Sequence, residues 1–300
     1  IRSIARRIIA DFAHDGQCDF ISQFCNLFPM MAIFALIGFE EAEKDLDQLR
    51  AWTDDMFKMW LAQLTPDQQV ECAKSAIAIQ NYIREKIADR RKNPRDDVMT
   101  DFLSRIDAGT GEITEEELIV SYPISFIGAG YETTKAAIAN GFYQLLLKPD
   151  ERWRAVLDHP EKIPDIVEEC LRYDGPLLAW YSRTTKPVTF GGLTMPKGAR
   201  VVMLYGAANH DEDVYPDAEQ FCPMRSRPKP HLTFSYGRHV CLGAPLARME
   251  FKIALEEMSQ SLPNLRLKPG QEIKIEPIFA TRVLHRLDLE WDLPPTLPAA

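Results

Sequence analysis

The sequence predicts a mostly helical α+β protein with small sheets, and three observations carry that expectation. Apolar residues recur at helical spacing through roughly the first 175 residues. After Tyr173 the pattern shifts to short alternating stretches divided by glycine and proline turns. The composition, 46% hydrophobic and 26% charged over 300 residues, is that of a globular chain long enough for one large core.

Ile4, Ile8, Ile9 and Phe12 repeat at helical spacing, and Asp19 caps a second helix running toward Gly38. A third helix is expected over 41–61. Thr65-Pro66-Asp67 then provides a cap with proline in the first turn, opening a long amphipathic helix that ends near Arg91 on the basic run Arg90-Arg91-Lys92. Thr114 and Glu117 form a capping box for another long helix reaching Leu147. Strands are expected over 184–190, 200–204 and 271–277, with turns at Gly191-Gly192 and Pro196-Lys197-Gly198. Between 209 and 231 the chain is irregular, with Pro216, Pro223, Pro228 and Pro230, and a last helix is expected over 244–261. Helices first and a mixed half afterwards is the α+β arrangement.

Several functions are excluded early. The 35 Lys and Arg against 44 Asp and Glu leave a net charge of −9, which disfavours nucleic acid and anionic membrane as partners. No apolar run approaches the ~18–20 residues of a membrane span, and no signal peptide is evident, so a cytoplasmic location is expected. None of the six cysteines forms a Cys-x-x-Cys pair, which removes zinc ribbons and thioredoxin-like motifs. The chain opens on Ile1, inside a helical pattern, and is expected to be part of something longer.

The most informative stretch is Phe234-Ser-Tyr-Gly237-Arg238-His239-Val240-Cys241-Leu242-Gly243, followed by Ala244-Pro245. Pro245 suits a first helical turn, so Cys241 lies just ahead of a helix N-terminus, where the dipole favours a thiolate. Gly237 and Gly243 allow close approach of a flat ligand. A second stretch, Gly128-Ala129-Gly130-Tyr131-Glu132-Thr133-Thr134, puts two glycines inside a helix at ~1 kcal/mol each, a cost that needs a reason. Close helix packing is one; a local opening of the helix, with Thr133 bonding back to a carbonyl, is another.

Phe-x-x-Gly-x-His-x-Cys-x-Gly followed by Ala-Pro-Leu-Ala-Arg resembles the haem-binding loop of bacterial soluble cytochromes P450. The resemblance implies that Cys241 is the axial iron ligand of haem b, with Phe234 and Gly243 beside it, and that His239 and Arg183 reach the haem propionates. It implies that Ala129 and Gly130 face dioxygen and that Glu132 and Thr133 are an acid–alcohol pair delivering protons. Glu169 and Arg172 match the family's Glu-x-x-Arg, with Arg225 as the third member of a network behind the haem. Ser235 and Tyr236 depart from the family pattern, which commonly has Gly and a small residue there. The whole chain, 1–300, matches as a single incomplete domain, helical over 1–175 and mixed over 176–300, with the N-terminal portion of the fold absent.

The function so implied is a haem-thiolate monooxygenase that inserts one oxygen atom of O2 into a small hydrophobic substrate, with electrons from a ferredoxin-type carrier. Basic candidates for that carrier are Arg238, Arg248 and Arg225. Residues expected toward substrate are Phe126, Ala129, Leu178, Ala179 and 279–281. Two alternatives stay open: a peroxide-using haem-thiolate enzyme, and a non-catalytic piece that holds haem weakly or not at all.

Overall fold

The computed structural model describes residues 1–39, 44–225 and 230–293. The helical half begins with α1 (Arg2–Phe12), which buries Ala5, Ile8, Ile9 and Phe12 along one face. A short strand β1 (Gln17–Asp19) comes next, then a π-helical turn (Ile21–Cys25) and α2 (Phe28–Ile37). The N-cap position of the π-helical turn is Phe20, not Asp19; the Asp19 carboxylate, one residue earlier, accepts from the Ile21 N–H (3.2 Å) and the Ser22 hydroxyl (2.8 Å). The segment that begins here is interrupted before α2, where the sequence pattern reads as one helix. Of the helix expected over 41–61, α3 (Leu46–Leu61) is present and 41–43 lie outside the described residues.

The capping predictions translate into geometry. α4 (Pro66–Lys92) opens on a reciprocal box in which the Gln68 N–H donates to Thr65 Oγ1 (3.3 Å) and the Thr65 N–H to Gln68 Oε1 (2.9 Å). α5 (Val98–Asp107) is capped by Asp97, which also accepts from the buried Arg90 guanidinium at 2.5 Å. α6 (Glu115–Ser121) starts on the Thr114–Glu117 box. The long helix expected to reach Leu147 then divides. Tyr122–Gly128 winds as a π-helix, and only from there does α7 (Ala129–Leu146) continue. Such π segments concentrate where a helix is opened by side chains or function.

After a third π-helical segment (Pro149–Trp153) come α8 (Arg154–Asp158) and α9 (Ile163–Tyr173). Four short strands succeed them: β2 (Trp180–Arg183), β3 (Val188–Phe190), β4 (Leu193–Met195) and β5 (Arg200–Met203). β2 pairs antiparallel with β5, and β3 with β4. Of the strand expected over 184–190 only 188–190 is present; β2 ends just before it, and Thr184 closes the β2–β5 pairing, its N–H donating to the Ala199 carbonyl (3.1 Å) and its hydroxyl to the Pro196 carbonyl (2.6 Å). α10 (Tyr205–Asn209) leads into the irregular segment, and α11 (Ala244–Ser261) has the bounds expected of the last helix. β6 (Arg266–Leu267) and β7 (Asp288–Glu290) complete a sheet in the order β1-β7-β6. Over 271–277 there is no strand; Ile275 makes a single bridge to Leu284, and without a ladder the alternation alone forms no sheet.

Two apolar clusters sit at the centre. One gathers α1, the C-terminal half of α7, α9 and α11 around Phe142, Phe251 and Leu255. The other gathers α2 to α6 and the start of α7 around Ile33, Ile83, Tyr122 and Tyr131. α7 thus belongs to both. Its crossing with α11 depends on Gly141, where a Cβ would fall far inside van der Waals contact with the Phe251 ring.

Candidate functional site

Cys241 sits at the end of a loop held by its own backbone. Its N–H donates to the Phe234 carbonyl (2.9 Å), and its carbonyl accepts from the Ala244 N–H (3.3 Å) as α11 begins with Pro245 in the first turn. Gly237 has φ of +77°, the left-handed region that favours glycine. Ser235 also has a positive φ, +62°, at the position where the resemblance expected glycine, and its hydroxyl lies 3.1 Å from the Tyr205 hydroxyl. Gly243 has ordinary φ, but a Cβ there would sit 3.8 Å from the Cys241 sulfur, so its absence keeps the thiol's surroundings open.

Cys241 is the one exposed cysteine of the six. Burial pushes the Cys18 thiol up to about 12 and those of Cys25 and Cys170 well above the ordinary range. Those groups are inert thiols in the core. Around Cys241 the neighbours are apolar and outward: Val240 is 56% exposed and Leu242 89%.

Behind the loop lies a buried ionic brace. Arg172 presents Nε and one terminal nitrogen to the two oxygens of Glu169, both at 2.8 Å. Its remaining nitrogen donates to the Asn209 (2.8 Å) and Ala218 (3.0 Å) carbonyls. Arg225 Nε donates to the same carboxylate at 3.1 Å and, through its other nitrogens, to Pro216 and Gln220 carbonyls. The Cys222 N–H adds a further bond at 2.9 Å. One carboxylate on α9 therefore organises the irregular segment. Asn209 extends this order to the loop: its side chain takes the Leu232 N–H (2.7 Å) and donates to Thr233 Oγ1 (2.9 Å), which donates to Leu171 O (2.7 Å).

A neighbouring network was not anticipated from the sequence. Arg248 on α11 makes a two-point contact with Glu168 (2.6 and 2.8 Å) and stacks over the Phe234 ring at 4.5 Å. His231 Nε2 lies 3.3 Å from the same carboxylate. Burial works against the Glu168 charge, but the His231 and Arg248 hydrogen bonds outweigh it and hold the carboxyl down at about 2. Arg225 and Arg248, proposed from the sequence as carrier-facing cations, are thus engaged by Glu169 and Glu168; Arg238 is exposed. The only sequence signal for Glu168 was its place beside Glu169.

On the other face, Thr133 Oγ1 donates to the Ala129 carbonyl at 2.7 Å, and Ala129 is exposed. The glycines serve packing: a Cβ on Gly128 would press on Phe57 of α3 (3.1 Å), and one on Gly130 on Ile33 of α2 (3.3 Å). Glu132 forms an ion pair with Lys135 at 2.7 Å. Phe126 turns onto Tyr122 (ring centroids 4.9 Å apart) and Phe102 (6.1 Å). Leu178 is half-buried, Ala179 and Ala280 are buried against one another's backbone, and Phe279 is exposed.

Arg183 and His239 are both exposed, and neither has a carboxylate partner among the described residues. Arg183 stands opposite Arg200 in the β2–β5 register, a like-charged pair that favours an anionic ligand.

The sequence matches the cytochrome P450 family over residues 35–154 and 163–290. The chain belongs to that family. It is 36% identical over 269 residues to the mycinamicin IV hydroxylase/epoxidase of Micromonospora griseorubida, a match covering 89% of this chain and 65% of that protein. It is 32% identical over 268 residues to cytochrome P450 107B1 of Saccharopolyspora erythraea, covering 89% and 63%. The chain thus spans a little under two thirds of those relatives' lengths. Among solved structures it is similar to the cytochrome P450 CREJ bound to (4-ethylphenyl) dihydrogen phosphate, at 30% identity and a TM-score of 0.90, covering 97% of this chain and 72% of that one. P450BioI, solved with an acyl carrier protein ligated to hexadec-9Z-enoic acid, gives 29% identity and a TM-score of 0.88 over 97% and 73%. The fold is the P450 fold. Among the described residues no helix is long and apolar enough to cross a membrane.

The donor set suits the family's haem. Among the described residues no cluster of His, Cys, Asp and Glu gathers as a multidentate ion site, whereas a lone exposed thiol suits a metal that brings its in-plane ligands with it. Outward Val240 and Leu242 offer apolar surface to a macrocycle, and Arg183 and His239 offer cationic or polar partners to its carboxylates.

Proposed function

We propose that this chain carries the thiolate loop and the proton-handling helix of a haem-thiolate monooxygenase, as one incomplete P450 domain. Haem b bound at Cys241 would supply dioxygen reduction and transfer of one oxygen atom to an organic substrate. The observation that supports this most is the combination at Cys241: the one exposed thiol of six, ahead of a helix N-terminus, on a loop tied to a buried brace.

Cys241 would hold the iron as a thiolate, with Phe234 and Gly243 as its loop neighbours, and Arg183 and His239 would bind the propionates. Glu169, Arg172 and Arg225 keep the irregular segment rigid, so the sulfur's position does not drift. Glu132 and Thr133 would hold and deliver protons beside Ala129 and Gly130, which would face the cofactor, and Thr133 is positioned by its bond to the Ala129 carbonyl. That pair favours dioxygen with a ferredoxin-type electron carrier over peroxide. The substrate class is a small hydrophobic molecule; relatives' names include mycinamicin IV and a steroid, which supports the class and no single compound.

The test is the reduced carbon monoxide difference spectrum of the haem-loaded chain. The thiolate band is expected in the wild type and in Cys222→Ser, and is expected to vanish in Cys241→Ser. A thiolate band surviving Cys241→Ser removes the assignment.

A further inference from the structure

α3 brings a second carboxyl against the proton-handling helix. Asp54 lies in hydrogen-bonding contact with Glu132, and Glu132 is paired on its other side with Lys135 at 2.7 Å. Oδ1 of Asp54 is buried and has no hydrogen-bond partner among the described residues. Asp54, Glu132, Thr133 and Lys135 together line a cavity of about 260 Å³, which Glu276 and Thr281 also line. Two carboxyls in contact cannot both ionise cheaply, so one of them keeps a proton.

We propose that Asp54 is the proton store for Glu132: it holds the shared proton, passes it across the carboxyl–carboxyl contact, and is refilled from water in the cavity. The inference rests on the reading of Glu132 and Thr133 as the delivering pair and extends it by one residue from a different helix. In the step, a proton leaves an Asp54 oxygen for a Glu132 oxygen. Asp54 is left ionised, a proton from bulk solvent relayed through the cavity water restores it with that water left neutral, and no electron moves. Asp54 acts through Glu132 and is a positioning residue, setting how readily Glu132 is reloaded.

The charge environment supports this division. Burial first, then the contact with Glu132, raise the Asp54 carboxyl from 3.8 to about 7, while Lys135 and Arg50 pull the other way. Lys58 of α3 and Glu276 also line the cavity, and Tyr131 lies nearby on α7. Lys58 and Arg50 are paired with Asp55 and Asp47, so Lys135 is the ammonium in direct contact with the Asp54–Glu132 pair, and one ammonium against two carboxyls leaves room for a proton. Asp54 therefore keeps its proton below pH ~7 and loses it above.

Stability responds with a definite sign. Between 3.8 and about 7 the folded chain binds a proton that the unfolded chain has released, so stability falls as pH rises through that window. Asp54→Asn is expected to flatten this fall.

Two measurements decide the matter. In the first, carboxyl carbons of aspartate and glutamate are labelled with ¹³C and titrated by NMR in the 300-residue chain. A carboxyl titrating near neutrality is expected, absent in Asp54→Asn and moved clearly downward in Glu132→Gln. An Asp54 signal in the ordinary aspartate range overturns the proposal. In the second, the haem-loaded protein, supplied with a ferredoxin, its reductase and a turned-over substrate, is assayed for product formed per electron from pH ~6 to ~9, a span bracketing the shifted carboxyl. The wild type is expected to lose coupling above pH ~7. Asp54→Asn is expected to lower coupling several-fold at the acid end and abolish the pH dependence, with substrate binding spectra unchanged and with rescue by Asp54→Glu. If Glu132→Gln and Thr133→Ala uncouple the enzyme while Asp54→Asn does not, the store fails and the delivering pair stands. If none of the three alters coupling, the delivering pair fails and takes the store with it, even where the shared proton is seen by NMR.

Discussion

Two clusters of charge flank the candidate haem site, and they are built on opposite principles. Behind the cysteine loop, Glu169 is matched by Arg172 and Arg225, whose remaining donors are satisfied by carbonyls of the irregular segment. Between α3 and α7, two carboxyls share one close ammonium, and an Asp54 oxygen is left without a donor among the described residues. A fully matched cluster has one protonation state and one geometry, so it fixes structure. An under-matched cluster is short of a positive charge near neutral pH, so it holds a mobile proton. Position relative to the site thus tracks chemistry: rigidity on the thiolate side, titration on the opposite side.

The sharpest way to break the matched side is Glu169→Ala. It leaves the buried Arg172 guanidinium without its carboxylate, and losing one partner of a buried pair costs about 3–5 kcal/mol. Urea unfolding of the apo-chain is expected to show a loss of that size, whereas Asp54→Asn at neutral pH should not destabilise the fold. A small effect for Glu169→Ala would mean that the brace is not what holds the segment.

A second variant strikes the joint between the two sides. Gly141→Ala places a methyl group against the buried Phe251 ring, where α7 crosses α11. Overpacking at such a point costs about 1–3 kcal/mol. Because α7 carries Glu132 and α11 begins just after Cys241, the Soret maximum of the haem-loaded protein is expected to shift as well. An unchanged melting temperature would show that the crossing is loose.

The smallest effect is expected at Ser235→Gly in the loop itself. The positive φ of Ser235 disfavours any side chain by about 1 kcal/mol, and loss of the contact to the Tyr205 hydroxyl offsets part of the gain. A melting temperature equal to or slightly above wild type is expected by calorimetry. A clear fall would make the Tyr205 contact the dominant one.

What the sequence determined by itself is local. Thr65 announced a cap, and Thr114 with Glu117 a capping box, because the donors and acceptors lie three residues apart; that Gln68 closes the Thr65 cap into a box is seen in the structure. Cys241, flanked by Gly237 and Gly243 and followed by Pro245, marked a loop before a helix, and the Glu169–Arg172 spacing placed both groups on one helical face. The family resemblance rested on the same short-range spacings. The tertiary structure decided everything that depends on distant residues meeting. The long helix from Thr114 was legible as one pattern, yet the π-helical turn at Tyr122–Gly128 arises where the chain packs against Phe57 and Phe102. The alternation over 271–277 did not become a strand, because a strand needs a partner that periodicity cannot supply. Arg248 read as a free cation until α9 brought Glu168 beneath it. Asp54 carried no sequence signal at all: an acid on an amphipathic helix is ordinary, and its chemistry exists only because α3 lays it on Glu132, 78 residues away in the chain.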